Sequence, residues 1–135
     1  MIGFAGLSHL GTVWSTAAAS KGEDVIAYDP DPSLCDQLRD GRLPVMEPGL
    51  PELQHSHRAR IRYTSDATAL RECPVVYISR DVPTGTDNRS DLSLLLRLID
   101  GVAAGLAPGS VLVVLSQVPP GTTRSLAARL GGLVV

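Results

Sequence analysis

Three small residues near the start of the chain have the spacing of a phosphate-binding turn. Gly6, Ser8 and Gly11 lie in the hexapeptide Gly-Leu-Ser-His-Leu-Gly, between a short apolar segment and a helical pattern. The first glycine permits a tight turn, and the last lets the helix pack closely on the strand before it. Because the free N–H groups at the start of a helix attract anions, the turn predicts binding of a pyrophosphate.

Ser8 occupies the position where such turns usually have a middle glycine, which lets the backbone approach the pyrophosphate. Two roles remain open for this serine: its small side chain is tolerated, or its hydroxyl donates a hydrogen bond to a phosphate.

An acidic residue follows at the distance expected for recognition of a ribose. Asp29 ends the next apolar segment, 18 positions after Gly11, where a carboxylate accepts hydrogen bonds from an adenosine ribose. A 2′-phosphate would meet this carboxylate at close range, and no arginine lies within the next nine positions. The pattern therefore predicts NAD rather than NADP as the cofactor.

Alternating strands and helices are needed to position these residues. Apolar segments predict buried strands at 1–5, 24–28, about 60–64, 74–78 and 111–115, and another strand beginning at Leu133. Uninterrupted apolar strands alternating with helices are typical of a parallel sheet covered on both faces. The predicted fold class is therefore α/β, a three-layer Rossmann-type doubly wound sheet.

Helices are predicted in the connections between these strands. The first carries Leu10, Val13, Trp14, Ala17 and Ala18 on one face, which places Trp14 in the core between helix and sheet. The second is capped by Asp31 and closed by Gly41. Shorter helices follow Pro51 and Asp66. A longer one is capped by Asp91 and carries an apolar stripe from Leu92 to Leu106, and another is predicted from about Thr122 to Leu130.

Composition restricts the class of protein further. The net charge is −2, which gives no reason to expect binding to nucleic acid or to an anionic membrane surface. No apolar run approaches the roughly 20 residues of a membrane span. No basic segment precedes an apolar one at the start, so a secretory signal is not expected. Cys35 and Cys73 form no CxxC pattern and are expected to be free thiols in a reducing compartment. A cytoplasmic domain is predicted.

The final predicted strand has barely begun when the 135-residue sequence ends. We therefore expect one NAD-binding Rossmann domain, 1–135, from a longer enzyme whose catalytic and substrate domains are absent. The alternative is a short independent protein with an edge strand at its end.

Motifs along the whole chain resemble those of the NAD-binding domain of the UDP-glucose/GDP-mannose dehydrogenases. They occur in the family's order, and the second and fourth are more specific than the glycine turn. They are Gly6 to Gly11, Glu47-Pro48-Gly49-Leu50, Val82-Pro83-Thr84 with the later Asp91-Leu92-Ser93, and Ser116-Gln117-Val118-Pro119-Pro120-Gly121-Thr122-Thr123.

The resemblance implies an NAD-dependent enzyme that oxidises the C6 hydroxyl of UDP-glucose or a similar nucleotide sugar to a carboxylate with two NAD. It also implies a homodimer for the full-length protein. The family's nucleophilic cysteine, in Gly-x-Gly-Gly-x-Cys, and its catalytic lysine are not matched here. None of the chain's candidates stands in a matching setting: Cys35 lies in a predicted surface helix, Cys73 just before a strand and Lys21 at a helix end. Neither cysteine is expected at the carboxyl ends of the strands. No catalytic residue is therefore assigned, and the chain alone is expected to be inactive.

Motif and resemblance together imply the residues that contact the cofactor. They are Gly6, Ser8, His9, Leu10, Gly11, Asp29, Asp81, Val82, Pro83, Ser116 and Gln117. Two family patterns are altered. Gln117 replaces the threonine that positions a catalytic water, and Asp81-Val82-Pro83 replaces Gly-Thr-Pro. These changes put the substrate, and the activity itself, in question.

Two further sets of residues have more than one interpretation. His55 and His57 could ligate a metal, but no third ligand is evident and an exposed helix end explains them better, so no metal is predicted. Glu47 either reaches the active cleft or anchors its loop, and His9 either flanks the cofactor or is solvated.

Two alternative functions also remain. One is an NAD-binding module without catalysis. The other is a dehydrogenase of the 6-phosphogluconate or hydroxyacyl-CoA type, which the Glu-Pro-Gly-Leu segment argues against.

Overall fold

A single five-stranded parallel sheet organises the chain. The computed structural model describes residues 1–83, 85, 90–131 and 135. Its strands are β1 (Ile2–Ala5), β2 (Val25–Tyr28), β3 (Ile61–Thr64), β4 (Val75–Ile78) and β5 (Val111–Val114). They lie in the order β3-β2-β1-β4-β5, and every neighbouring pair is parallel. The order confirms the predicted Rossmann-type sheet, and it creates a crevice at the carboxyl ends of β1 and β4.

Helices cover both faces of this sheet. They are α1 (His9–Ser20), α2 (Pro32–Arg39), α3 (Leu50–His57), α4 (Ser93–Ala103) and α5 (Thr122–Arg129), with 3₁₀ turns at Arg58–Arg60 and Ala67–Glu72. Alternate residues of β2 enter different cores: Ile26 and Tyr28 belong to one buried cluster, and Val25 and Ala27 to the other. This alternation confirms the expected three layers.

The face that α1 turns to the sheet is not the predicted one. Its buried residues are small or hydroxyl-bearing, namely Gly11, Thr12, Ser15, Thr16 and Ala19. Trp14, predicted to lie in the core, is 50% exposed, and the rest of the predicted apolar face is only partly buried. The prediction was wrong because α1 lies so close to the sheet that large side chains do not fit between them.

The other boundaries follow local chemistry. Asp31 accepts a hydrogen bond from the Ser33 N–H at 2.9 Å, and Gly41 has a φ of +80° after the last turn of α2. Asp66 likewise caps a helix, but that helix is a 3₁₀ turn. Asp91 accepts a hydrogen bond from the Ser93 N–H, although α4 begins at Ser93, one residue later than a cap at Asp91 predicts. The predicted strand at Leu133 lies outside the described residues, apart from its last position.

No helix in the described part of the chain is long and apolar enough to cross a membrane.

Candidate functional site

The turn between β1 and α1 depends on its two glycines. Gly6 has a φ of +92°, and a Cβ there would lie 2.8 Å from the Cβ of Arg80. A Cβ on Gly11 would lie only 1.9 Å from the Gly6 carbonyl oxygen. A larger residue at Gly11 would therefore displace α1 from the strand, and one at Gly6 would strain the turn and collide with the segment after β4.

The amino end of α1 presents N–H groups to the crevice. The first intrahelical hydrogen bond is donated by Thr12 to the Ser8 carbonyl oxygen, at 3.0 Å. The N–H groups of His9, Leu10 and Gly11 precede it, so they have no acceptor within the helix. Together with the positive end of the helix dipole, these donors can hold an anionic group such as a pyrophosphate.

The Ser8 side chain is tied to the segment that follows β4. Its oxygen accepts a hydrogen bond from the Asp81 N–H at 2.8 Å, and its hydroxyl points towards the Ser79 carbonyl oxygen at 3.5 Å. The Asp81 carboxylate in turn accepts a hydrogen bond from the Leu10 N–H at 3.3 Å. Asp81 is thus bonded to the turn twice, through its N–H to Ser8 and through its carboxylate to Leu10, and neither role expected for Ser8 anticipates this contact.

Asp29 is positioned by backbone donors on both sides. Its side chain is buried, with one oxygen accepting from the Leu7 N–H at 2.8 Å and the other from the Asp31 N–H at 3.0 Å. These bonds fix the carboxylate at the carboxyl end of β2. Each oxygen keeps a lone pair, so the group can still accept from hydroxyls of a ribose.

A cavity of about 300 Å³ opens beside this strand end. It is lined by Tyr28, Pro30, Arg80, Leu94, Arg97, Leu98 and Gly101. The mixture of apolar surface and guanidinium groups suits a purine base, because arginine stacks on aromatic rings. Neither arginine forms an ion pair with any residue in the described ranges.

Sequence reasoning missed Arg80 and Arg97. No arginine follows Asp29 within nine positions of the sequence, as noted above. In space, however, β4 and α4 bring these two to line the neighbouring cavity. The only signal in the sequence was that Arg80 follows a predicted strand and Arg97 lies in a predicted helix.

The ends of β4 and β5 complete the crevice. The Ser79 hydroxyl donates to the Gly6 carbonyl oxygen at 3.0 Å, and the Ser116 hydroxyl donates to the Ile78 carbonyl oxygen at 3.3 Å. Both serines are buried, so they join the strand ends to one another. Gln117 is exposed beside Ser116, and Val82 packs against the core below the exposed Pro83. Thr84 lies outside the described residues.

His9 and Glu47 form a pair at the rim of the turn. The His9 Nε2 lies 2.7 Å from a Glu47 carboxylate oxygen, and both side chains remain about half exposed. The contact joins the Glu-Pro-Gly-Leu loop to the start of α1. It agrees with an anchoring role for Glu47 at the edge of the cleft.

Both cysteines are buried, and burial raises the pKa of each thiol, to about 11 for Cys73. Cys73 precedes β4, at the amino edge of the sheet. Cys35 lies in α2, the predicted surface helix, but on its buried side, with its sulfur 3.6 Å from the Asp29 carbonyl oxygen. It therefore lies near the carboxyl end of β2, contrary to expectation, yet burial keeps the thiol protonated and inaccessible.

The remaining candidates lie away from the crevice. Lys21 follows the last turn of α1, and His55 and His57 lie in the last turn of α3. Within the described ranges, no three histidine, cysteine or acidic residues are grouped so that they could hold a metal ion.

Comparison with known proteins finds matches to this chain in both sequence and fold. Residues 1–131 match the NAD-binding domain of the UDP-glucose/GDP-mannose dehydrogenase family. A UDP-glucose 6-dehydrogenase from Rhizobium meliloti is 35% identical over 121 residues, which are 87% of this chain and 28% of that protein. The UDP-D-ManNAc dehydrogenase structure from Pyrococcus horikoshii superposes with a TM-score of 0.87 at 28% identity, covering 96% of this chain and 32% of that one. A ternary complex of GDP-mannose dehydrogenase from Pseudomonas aeruginosa gives 0.85 at 25% identity, covering 96% and 31%. The chain thus spans less than a third of each relative.

Proposed function

Because this chain belongs to the UDP-glucose/GDP-mannose dehydrogenase family and is its NAD-binding domain, we propose that it holds NAD for the oxidation of a nucleotide sugar. The observation that carries the proposal is the turn at Gly6 and Gly11, with N–H groups that have no acceptor within α1 and a fixed carboxylate at Asp29. Hydrogen-bond donors for an anion and a hydrogen-bond acceptor for a ribose lie at the same edge of the sheet.

Each part of the cofactor has a fitting set of residues. The pyrophosphate is held at the N–H groups of His9, Leu10 and Gly11. The adenosine ribose is held by Asp29, and the adenine occupies the cavity lined by Arg80 and Arg97. The nicotinamide then extends towards the ends of β4 and β5, where Val82, Pro83, Ser116 and Gln117 lie. Of the other residues expected from the sequence, Gly6 shapes the turn, and Ser8 and Asp81 are bonded to each other at its mouth.

Bound NAD supplies a hydride acceptor, and this chain's residues hold and orient it. We propose that the substrate is UDP-glucose or a similar nucleotide sugar, whose C6 hydroxyl becomes a carboxylate in two oxidations. The names of the relatives support this class, although they include UDP-glucose, UDP-D-ManNAc and GDP-mannose enzymes. The choice of sugar depends on contacts that these residues do not supply.

The catalytic nucleophile is proposed to come from a segment other than these 135 residues. A second oxidation through a thioester needs an accessible thiolate next to the nicotinamide. Cys35 and Cys73 are buried and protonated, which leaves them unsuited to that role. In the complete enzyme, which we propose is a cytoplasmic homodimer, the missing groups would close over the crevice.

The test is NADH formation with UDP-glucose, GDP-mannose and UDP-N-acetylmannosamine. The purified chain should bind NAD but produce no NADH, whereas a longer protein that contains it should turn over one of these sugars. Turnover by the chain alone, abolished by Cys35→Ser or Cys73→Ser, would contradict the proposal.

A binding module without catalysis is the second candidate. It is favoured by Gln117 and Val82, because both replace a threonine hydroxyl of the family pattern. The longer protein decides between them: NAD binding without oxidation of any of the three sugars would favour the module.

A further inference from the structure

We propose that Asp81 is a resident anion in the pyrophosphate position and thereby sets how tightly the chain binds its dinucleotide. The inference rests on the proposed placement of the pyrophosphate at the amino end of α1. It concerns a residue whose carboxylate already uses one of the donors that the cofactor needs.

The geometry ties the segment after β4 to the turn in two directions. The Asp81 N–H donates to the Ser8 oxygen at 2.8 Å, and the Asp81 carboxylate accepts from the Leu10 N–H at 3.3 Å. Leu10 is the second residue of α1, so its N–H has no acceptor inside the helix. A carboxylate at this point satisfies the donor and neutralises part of the positive helix end.

The same contact opposes a second anion. A pyrophosphate that approaches the first turn of α1 must either displace the Asp81 carboxylate from the Leu10 N–H or lie beside a like charge. Asp81 is exposed and its side chain has no other hydrogen-bond donor among the described residues, so displacement is feasible. Rotation of the carboxylate into solvent therefore accompanies cofactor binding, and its cost lowers the affinity.

Competition of this kind affects only the charged part of the ligand. Adenosine occupies the base cavity and the Asp29 carboxylate without reaching the Leu10 N–H. ADP and NAD both carry the pyrophosphate. Replacing Asp81 should consequently change the affinity for ADP and NAD in parallel and leave that for adenosine unchanged.

The experiment is a set of NMR titrations of the isotope-labelled chain with adenosine, ADP and NAD at constant ionic strength. The variants are Asp81→Asn, which removes the charge at constant size, and Asp81→Gly, which removes the side chain. Asp66→Asn is the matched control, because Asp66 also accepts a hydrogen bond from a helix N–H but caps a different helix. Asp81 is exposed, so neither variant removes buried packing, and the spectrum of the free chain reports its fold.

We expect both Asp81 variants to bind ADP and NAD about two- to fivefold more tightly, the scale of an exposed charge at a helix end, with adenosine and the control unchanged. Unchanged or weaker binding of ADP and NAD by Asp81→Asn would overturn the inference while leaving the cofactor site intact. If adenosine gained as much as ADP, competition at the pyrophosphate would also be refuted. No binding of NAD by any of the proteins would overturn both this inference and the proposed function.

Discussion

The buried carboxylate of Asp29 accepts a hydrogen bond from the backbone N–H of Leu7 at 2.8 Å, across 22 positions of sequence. One side chain therefore joins the end of β2 to the turn after β1. Since the same carboxylate is the proposed ligand of the adenosine ribose, the shape of the turn and the recognition of the ribose depend on a single residue.

Replacing Asp29 should consequently affect both folding and binding. Asp29→Ala leaves the Leu7 N–H without its acceptor, and we expect a loss of about 1–3 kcal/mol in the free energy of unfolding. NAD binding should weaken by about 1–3 kcal/mol, the scale of hydrogen bonds to a charged group. Urea unfolding and NAD titration measure the two effects separately.

The matched comparison for this variant is NADP. The unmodified chain should bind NAD more tightly than NADP, because a 2′-phosphate meets the Asp29 carboxylate. Asp29→Ala should reduce that preference. Equal affinity of the unmodified chain for both cofactors would contradict the role given to Asp29. It would indicate that Arg80 and Arg97, which line the neighbouring cavity, offset the carboxylate.

Gly11 and Gly101 provide a pair of helical glycines with opposite expectations. A Cβ at Gly11 would lie 1.9 Å from a backbone oxygen, whereas nothing lies within 4 Å of one at Gly101. Gly11→Ala should destabilise the chain and prevent NAD binding. Gly101→Ala should stabilise it by about 0.5–1 kcal/mol, through the helix propensity of alanine. Thermal unfolding without cofactor tests both, and a harmless Gly11→Ala would refute the close packing of α1.

Two aromatic residues, one on β1 and one on α1, test whether Trp14 belongs to the core. Phe4 is 2% exposed and stacks on Tyr77, with ring centroids 5.0 Å apart. Phe4→Ala should cost about 3–5 kcal/mol of stability. Trp14, half exposed, should cost far less on replacement by alanine, and its fluorescence should be readily quenched by acrylamide. If the two variants lost similar amounts of stability, Trp14 would be a core residue and the burial described here would be contradicted.

The buried thiol of Cys73 makes stability depend on alkaline pH. Burial raises its pKa from 9.0 to about 11 in the folded chain. The unfolded state therefore loses this proton first as the pH rises. The stabilising contribution is complete below pH 9 and is lost as the pH rises towards 11. Denaturant unfolding of the unmodified chain and Cys73→Ala across this range should show a steeper fall for the former. Parallel curves would contradict the assignment.

Sequence patterns predicted the sheet, because each apolar strand and each turn carries its own local chemistry. Asp31 caps a helix and Gly41 ends it wherever they lie in the fold. The errors arose where tertiary packing overrides local pattern. Trp14 looked like a core residue because its spacing places it on one helix face with apolar residues, but the residues of α1 that are buried against the sheet are small.

The same limit applies to the site. The turn at Gly6 and Gly11 was predicted from spacing, because its geometry is determined within a few residues. The contact between Asp81 and Leu10 was not, since it joins segments 71 positions apart. The sequence also did not predict that Arg80 and Arg97 line one cavity beside the end of β2.

The measurement that tests the account most directly is an NMR map of NAD binding to the isotope-labelled chain. We predict that the amide signals that move most belong to Gly6 through Gly11, to the residues around Asp29 and to Asp81. Signals at the amino edge of the sheet, such as those of Asp24 and Cys73, should not move. Saturable shifts confined to that amino edge, or no shifts at all, would contradict the central claim that this crevice holds the cofactor.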